Sequence, residues 1–84
     1  MIYSVVVDVT LRDGIADPEG ATIERALPCL GFSGISSMRS GKSFSFTVDA
    51  ANEEAARDTA LSVAERLLSN PVIERSSVRI EGAQ

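Results

Sequence analysis

Between Tyr3 and Leu11 every odd position is apolar, as Tyr3, Val5, Val7, Val9 and Leu11, while Ser4, Asp8 and Thr10 fall between them. A period of two sustained over that length specifies a β-strand with one buried face. Ile2 and Val6 soften the polar side, so that face is expected to be partly covered. The strand must then hand over within Leu11 to Gly20, the most specific stretch in the chain. Asp13-Gly14 marks a turn, Asp17 suits the cap of a helix, Pro18 its first position and Glu19 the positive end of its dipole.

Downstream, Ile23, Ala26, Leu27 and Leu30 recur at helical spacing, and Gly31 is placed to end that helix in the left-handed conformation. Pro28 forfeits the bond to the Glu24 carbonyl and should kink or tighten the last turn. Gly34 to Arg39 is read as a bulged strand, because Ile35 and Met38 cannot share one face of a regular one. Ser40-Gly41 would then close a tight hairpin onto a second clear strand, in which Phe44, Phe46 and Val48 alternate with Ser43, Ser45, Thr47 and Asp49. Asn52, Glu53 and Glu54 start a second helix with Ala56, Ala60, Val63, Ala64 and Leu67 as its buried stripe. Asn70-Pro71 stops it, Val72-Ile73 forms a short apolar patch, and Val78 and Ile80 alternate in a last strand. The order predicts an α+β, ferredoxin-like βαββαβ fold: an antiparallel four-stranded sheet with two helices on one face.

The 84 residues make one domain, 1–84, with a thin core, since a chain this short buries only about 60–65% of its unfolded surface. A net charge of −4 opposes binding to a phosphate backbone. The lone Cys29 cannot form an internal disulfide, and the absence of histidine removes the commonest general base and zinc ligand. These features fit a cytoplasmic chain. The first residues lack the basic region of a signal peptide, and no segment reaches the roughly 18 apolar residues of a membrane span.

Ser40-Gly41-Lys42-Ser43 ends like a phosphate-binding loop, but the first glycine of that motif falls on Ser36, and the segment is expected to join two strands rather than a strand and a helix. Asp13, Asp17 and Glu19 could gather around a hard cation, yet acids in a first helical turn serve more simply as caps. Cys29 is expected to be a small core residue, with no histidine to activate it. No acid, base and nucleophile converge, so any part in catalysis is expected to be that of a subunit.

Three stretches carry a family resemblance. Val-Thr-Leu-Arg-Asp-Gly-Ile-Ala-Asp-Pro-Glu-Gly with Ile-Glu-Arg-Ala-Leu and Leu-Gly-Phe, then Met-Arg-Ser-Gly-Lys, then Leu-Leu-Ser-Asn-Pro-Val-Ile-Glu, together resemble PurS, the small subunit of phosphoribosylformylglycinamidine (FGAM) synthase. The likeness runs from about Ile2 to Glu81. It implies a non-catalytic subunit that bridges an ATP-dependent synthetase (PurL) and a glutaminase (PurQ) in purine biosynthesis. It also implies that ATP and magnesium belong to the synthetase rather than to this chain, and that the chain forms a homodimer or a dimer of dimers. The motif positions carried over are Asp17, Pro18, Gly20, Arg39, Gly41, Lys42, Asn70, Pro71 and Glu74, with Arg39 and Lys42 expected at a hairpin tip facing an acidic partner surface. Pro28-Cys29 and Ser43-Phe44-Ser45 depart from the family pattern, at the end of the first helix and in the strand after the hairpin.

The competing reading is a stand-alone ferredoxin-like module that binds a small regulatory metabolite at a dimer interface, because this architecture hosts many functions. An RNA-binding sheet would need exposed stacking aromatics and a basic field, and the charge and the inward-looking Phe44 and Phe46 argue against both.

Overall fold

The computed structural model describes residues 1–83. Strand β1 (Ile2–Leu11) lies at the centre of a three-stranded antiparallel sheet, between β2 (Gly41–Asp49) and β3 (Glu74–Ala83). Its alternation is realised residue by residue: Tyr3, Val5, Val7 and Val9 are buried, while Ile2, Ser4, Val6 and Asp8 are only partly covered. Val7 stands opposite Phe44 on one side and Val78 on the other, and Val5 opposite Phe46 and Ile80. These cross-strand rows continue the apolar face across the sheet. A register shift between Ser4 and Val5 bulges the β3 ladder near the end of that strand.

Helix α2 (Glu53–Val63) crosses that face, capped by Asn52, whose Oδ1 accepts the Ala55 N–H at 2.8 Å. Ala56, Ala60 and Ala64 are fully buried against the valines of β1. Methyl-sized side chains let the helix lie close to the sheet, and α2 packs chiefly against β3, more sparsely against β1 and β2. The helix closes in a π-turn over Ala64–Leu68, where the Ser69 N–H reaches back to the Ala64 carbonyl at 2.9 Å. The wider turn brings Leu68, rather than the expected Leu67, toward the core; Leu67 is 80% exposed.

The expected fourth strand does not form. Gly34 and Ser37 have φ of 80° and 58°, left-handed values that break an extended run. The N–H groups of Met38 and Ser40, which a ladder would use, bond instead to the carboxylates of Glu24 and Asp17. Residues 32–40 are therefore a loop, Ser40-Gly41 closes no hairpin, and β2 pairs with β1 rather than with its predecessor.

The first helix is shorter than its spacing predicts. Helix α1 (Pro18–Ala26) is followed by a 3₁₀ turn, Pro28–Leu30, which the proline opens and Gly31 (φ 92°) caps. It barely touches the sheet or α2, so the two helices do not share a sheet face. Ile23 and Leu30, expected in the core, are exposed, and so is Cys29. No helix among the described residues is long and apolar enough to cross a membrane.

Candidate functional site

All nine motif positions lie at one end of the sheet, where β1 leaves it and β2 and β3 enter. Asp17, Pro18 and Gly20 come from the cap and first turn of α1, Arg39 from the loop before β2 and Gly41 and Lys42 from its start, Asn70 and Pro71 from the turn before β3 and Glu74 from its first position. An antiparallel three-stranded sheet centred on β1 dictates this gathering, because the outer strands begin beside the end of the central one.

Asp17 is the knot of the group. Its Oδ1 accepts the Gly20 N–H at 2.9 Å as a helix cap and the Ser40 hydroxyl at 2.8 Å, while its Oδ2 accepts the Ser40 N–H at 2.6 Å. The bond from the Gly20 backbone, then those from the Ser40 backbone and hydroxyl, hold its carboxyl at about 2, below the ordinary 3.8, because each favours the charged form. Pro18 occupies the first helical position as expected. Gly20 is buried for lack of room: a Cβ there would stand 2.7 Å from Asp17 Oδ2 and 2.8 Å from the Met38 carbonyl. Gly41 is confined likewise, with the Val9 carbonyl 2.8 Å from where its Cβ would be.

Arg39 is not at a hairpin tip. Its guanidinium folds back onto the turn after β1, donating to the Ile15 carbonyl at 3.2 Å and the Arg12 carbonyl at 3.5 Å. Lys42 lies within β2, with Nζ 3.7 Å from Oε2 of Glu74, the more buried partner at 14% exposure. Glu74 Oε1 accepts the Asn70 N–H at 2.7 Å, and the Asn70 Oδ1 accepts that of Val72 at 3.2 Å. The Pro71 carbonyl accepts Arg12 Nε at 2.9 Å, which ties the turn before β3 to the turn after β1. Arg12, Glu24 and Ser40 complete this network and were missed in the sequence. Their bonds join segments far apart in the chain, and local pattern carries no sign of them.

Asp13, Asp17 and Glu19 do not converge on a cation position. Asp13 pairs with Arg75 at 3.1 Å while Asp17 faces Ser40, and no cluster of three His, Cys, Asp or Glu with metal-binding geometry occurs among the described residues. A cleft of about 220 Å³ opens at the joint, lined by Val9, Leu11, Glu19, Ser40, Lys42 and Glu74. A second, of about 380 Å³, lies over Arg12, Glu65, Ser69, Pro71 and Arg75. Neither has the aromatic lining usual for small-molecule sites, and in the first Lys42 faces the Glu74 carboxylate of the same wall. The chemistry available here is that of a held surface: carboxylates satisfied from within, fixing three chain segments to one another.

The family model for PurS, phosphoribosylformylglycinamidine (FGAM) synthase, matches residues 4–82. The phosphoribosylformylglycinamidine synthase subunit PurS of Methanocaldococcus jannaschii is 32% identical over 80 residues, covering 95% of this chain and 96% of the relative. The crystal structure of the Thermotoga maritima purS subunit superposes with a TM-score of 0.88 at 36% identity, covering 95% of this chain and 92% of that one. A chain in the structure of PurLQS from Thermotoga maritima matches equally well, with TM-score 0.88, 36% identity and coverage of 95% and 98%. This chain belongs to the PurS family of FGAM synthase.

Proposed function

We propose that this chain works as the bridging subunit of FGAM synthase, holding an ATP-dependent synthetase and a glutaminase together so that ammonia passes between them. The complex would convert formylglycinamide ribonucleotide, ATP and glutamine to formylglycinamidine ribonucleotide, ADP, phosphate and glutamate. ATP and magnesium would be held by the synthetase, and the assembly would work in the cytoplasm. The observation that carries this reading is the near full-length match to a chain of PurLQS, a complex that unites the three kinds of subunit. The joint supports it: the Asp17 carboxylate and the Arg39 guanidinium are bonded to other groups of the chain, and Lys42 pairs with Glu74, as suits a part that presents a fixed surface rather than one that turns over substrate.

Size-exclusion chromatography of the chain with its matching synthetase and glutaminase, in the presence of glutamine and ADP, should yield one co-eluting complex. Elution of this chain apart from both, under conditions where each is folded, would overturn the assignment. Tight binding of a metabolite by the isolated chain, without effect on the synthetase, would favour the regulatory module instead.

A further inference from the structure

On an outline of 51 × 27 × 15 Å, exposed apolar side chains gather in two separate stretches. One is the first helix with the loop after it. The other is shorter, running from the end of α2 to the start of β3. It carries the two most exposed large apolar side chains of the described residues, Leu67 and Val72, each 80% exposed. Single exposed aliphatics are ordinary on a protein surface, but these two are put there by built structure.

Leu67 falls three residues after Ala64 and seven after Ala60, where a regular α-helix would turn it onto the buried stripe. The π-turn prevents this. Both the N–H and the hydroxyl of Ser69 donate to the Ala64 carbonyl, at 2.9 and 2.8 Å, and the extra residue sends Leu68 inward and Leu67 out. Such turns within α-helices recur at functional positions. Val72 is fixed as firmly. The Asn70 carbonyl accepts the N–H groups of Ile73 and Glu74 at 3.1 and 2.8 Å, the Asn70 side chain accepts that of Val72 itself, and Arg12 holds the Pro71 carbonyl. Aliphatic side chains carried on so fixed a backbone need little further ordering when a partner covers them.

The unpaired charges beside them are mostly positive, in a chain whose net charge is −4. Arg12 bonds through Nε alone, and neither its Nη groups nor Arg66, the neighbour of Leu67, meets an acceptor among the described residues. Arg75 pairs with Asp13, whose carboxylate stands wholly in solvent, and such a pair contributes little. Glu74 is engaged by Asn70 and Lys42, so Glu65 is the one unpaired acid in this part of the described residues. Arg39 and Lys42, expected to face an acidic partner, are taken up within the chain, whereas Arg12 and Arg66 remain available. Ser69 and Pro71, which lie between the two aliphatics in sequence, line the cleft of about 380 Å³ together with Arg12 and Arg75.

We propose that Leu67 and Val72, with Arg12 and Arg66 beside them, dock an unlike protein subunit that offers an apolar recess bordered by carboxylates. The surface presupposes the bridging role proposed above and gives it one of its contacts. A second copy is the wrong occupant, because about a two-fold axis the patch would meet itself and bring its like charges together.

Binding of the full chain to the matching synthetase and to the matching glutaminase is measured separately, with glutamine and ADP present, at low and at high salt. Leu67→Ser/Val72→Ser should raise the Kd for one of the two by about tenfold. Arg66→Glu should weaken the same contact and flatten its salt dependence. The urea midpoints of both variants should match that of the native chain; Arg66→Glu, at an exposed and unbonded side chain, carries the test alone if the double variant loses its fold. Native affinity of every variant for both subunits would overturn the docking surface and leave the bridging role standing. Tighter binding of Arg66→Glu would overturn it too, since the partner surface would then be basic. A native chain that binds neither subunit would overturn the bridging role and this surface with it.

Discussion

Asp17 shows how much of this molecule rests on single polar side chains. One carboxylate caps α1 and takes both the N–H and the hydroxyl of Ser40, so the turn after β1 and the start of β2 are fixed by the same group. Its pKa of about 2 lies below the ordinary 3.8, so between these values the unfolded chain takes up a proton that the folded chain does not. The stability it contributes is complete above the ordinary value, falls as pH drops toward about 2 and is lost below it. Urea midpoints measured from pH 5 to 2 should therefore fall steeply for the native chain and less steeply for Asp17→Asn in that window; equal slopes would refute the role. Gly20 is the steric counterpart. Gly20→Ala gains up to about 1 kcal/mol in helix propensity but forces a methyl against the Met38 carbonyl, at an overpacking cost of about 1–3 kcal/mol. We expect net destabilisation by chemical denaturation, and a more stable variant would contradict the close approach.

At the scale of elements, the three strands and two helices were legible because their patterns are local. Alternation in Tyr3 to Leu11, Phe44 to Val48 and Val78 to Ile80 marked the strands, and Asp17 and Asn52 marked the helix starts. What failed depended on distant partners. Gly34 to Arg39 resembled a strand in composition, but Ser37 turns left-handed and Glu24 and Asp17 capture the N–H groups that a ladder needs. Helical spacing puts Cys29 and Leu30 in a core only if the amphipathic helix packs on its own sheet, and α1 does not. The nine motif positions are candidates by family resemblance alone, and their mutual bonds, with those of Arg12 and Ser40, cannot be read from local pattern. The π-turn of α2 is a further departure that single mutants can verify. Leu68→Ala should cost about 2 kcal/mol as a partly buried contact is lost, whereas Leu67→Ala should stay within about 0.5 kcal/mol at an exposed position. The opposite ranking would mean that the helix keeps its ordinary phase.

At the scale of the whole molecule, a thin core and a long outline belong together. Valines on β1 and alanines on α2 make up nearly all of the fully buried interior, and side chains of that size supply modest burial energy, about 0.8 kcal/mol per buried CH₂. A chain built this way has surface to spare and gains stability from what covers it. That is the physical profile of a subunit, and it agrees with the chain's place in the PurS family. The most direct test is the rate at which formylglycinamidine ribonucleotide forms from glutamine when the matching synthetase and glutaminase are assayed with and without this chain. Adding the chain should raise the glutamine-supported rate to saturation at a fixed subunit ratio. A glutamine-supported rate unchanged by its presence, with all three proteins folded, would contradict it.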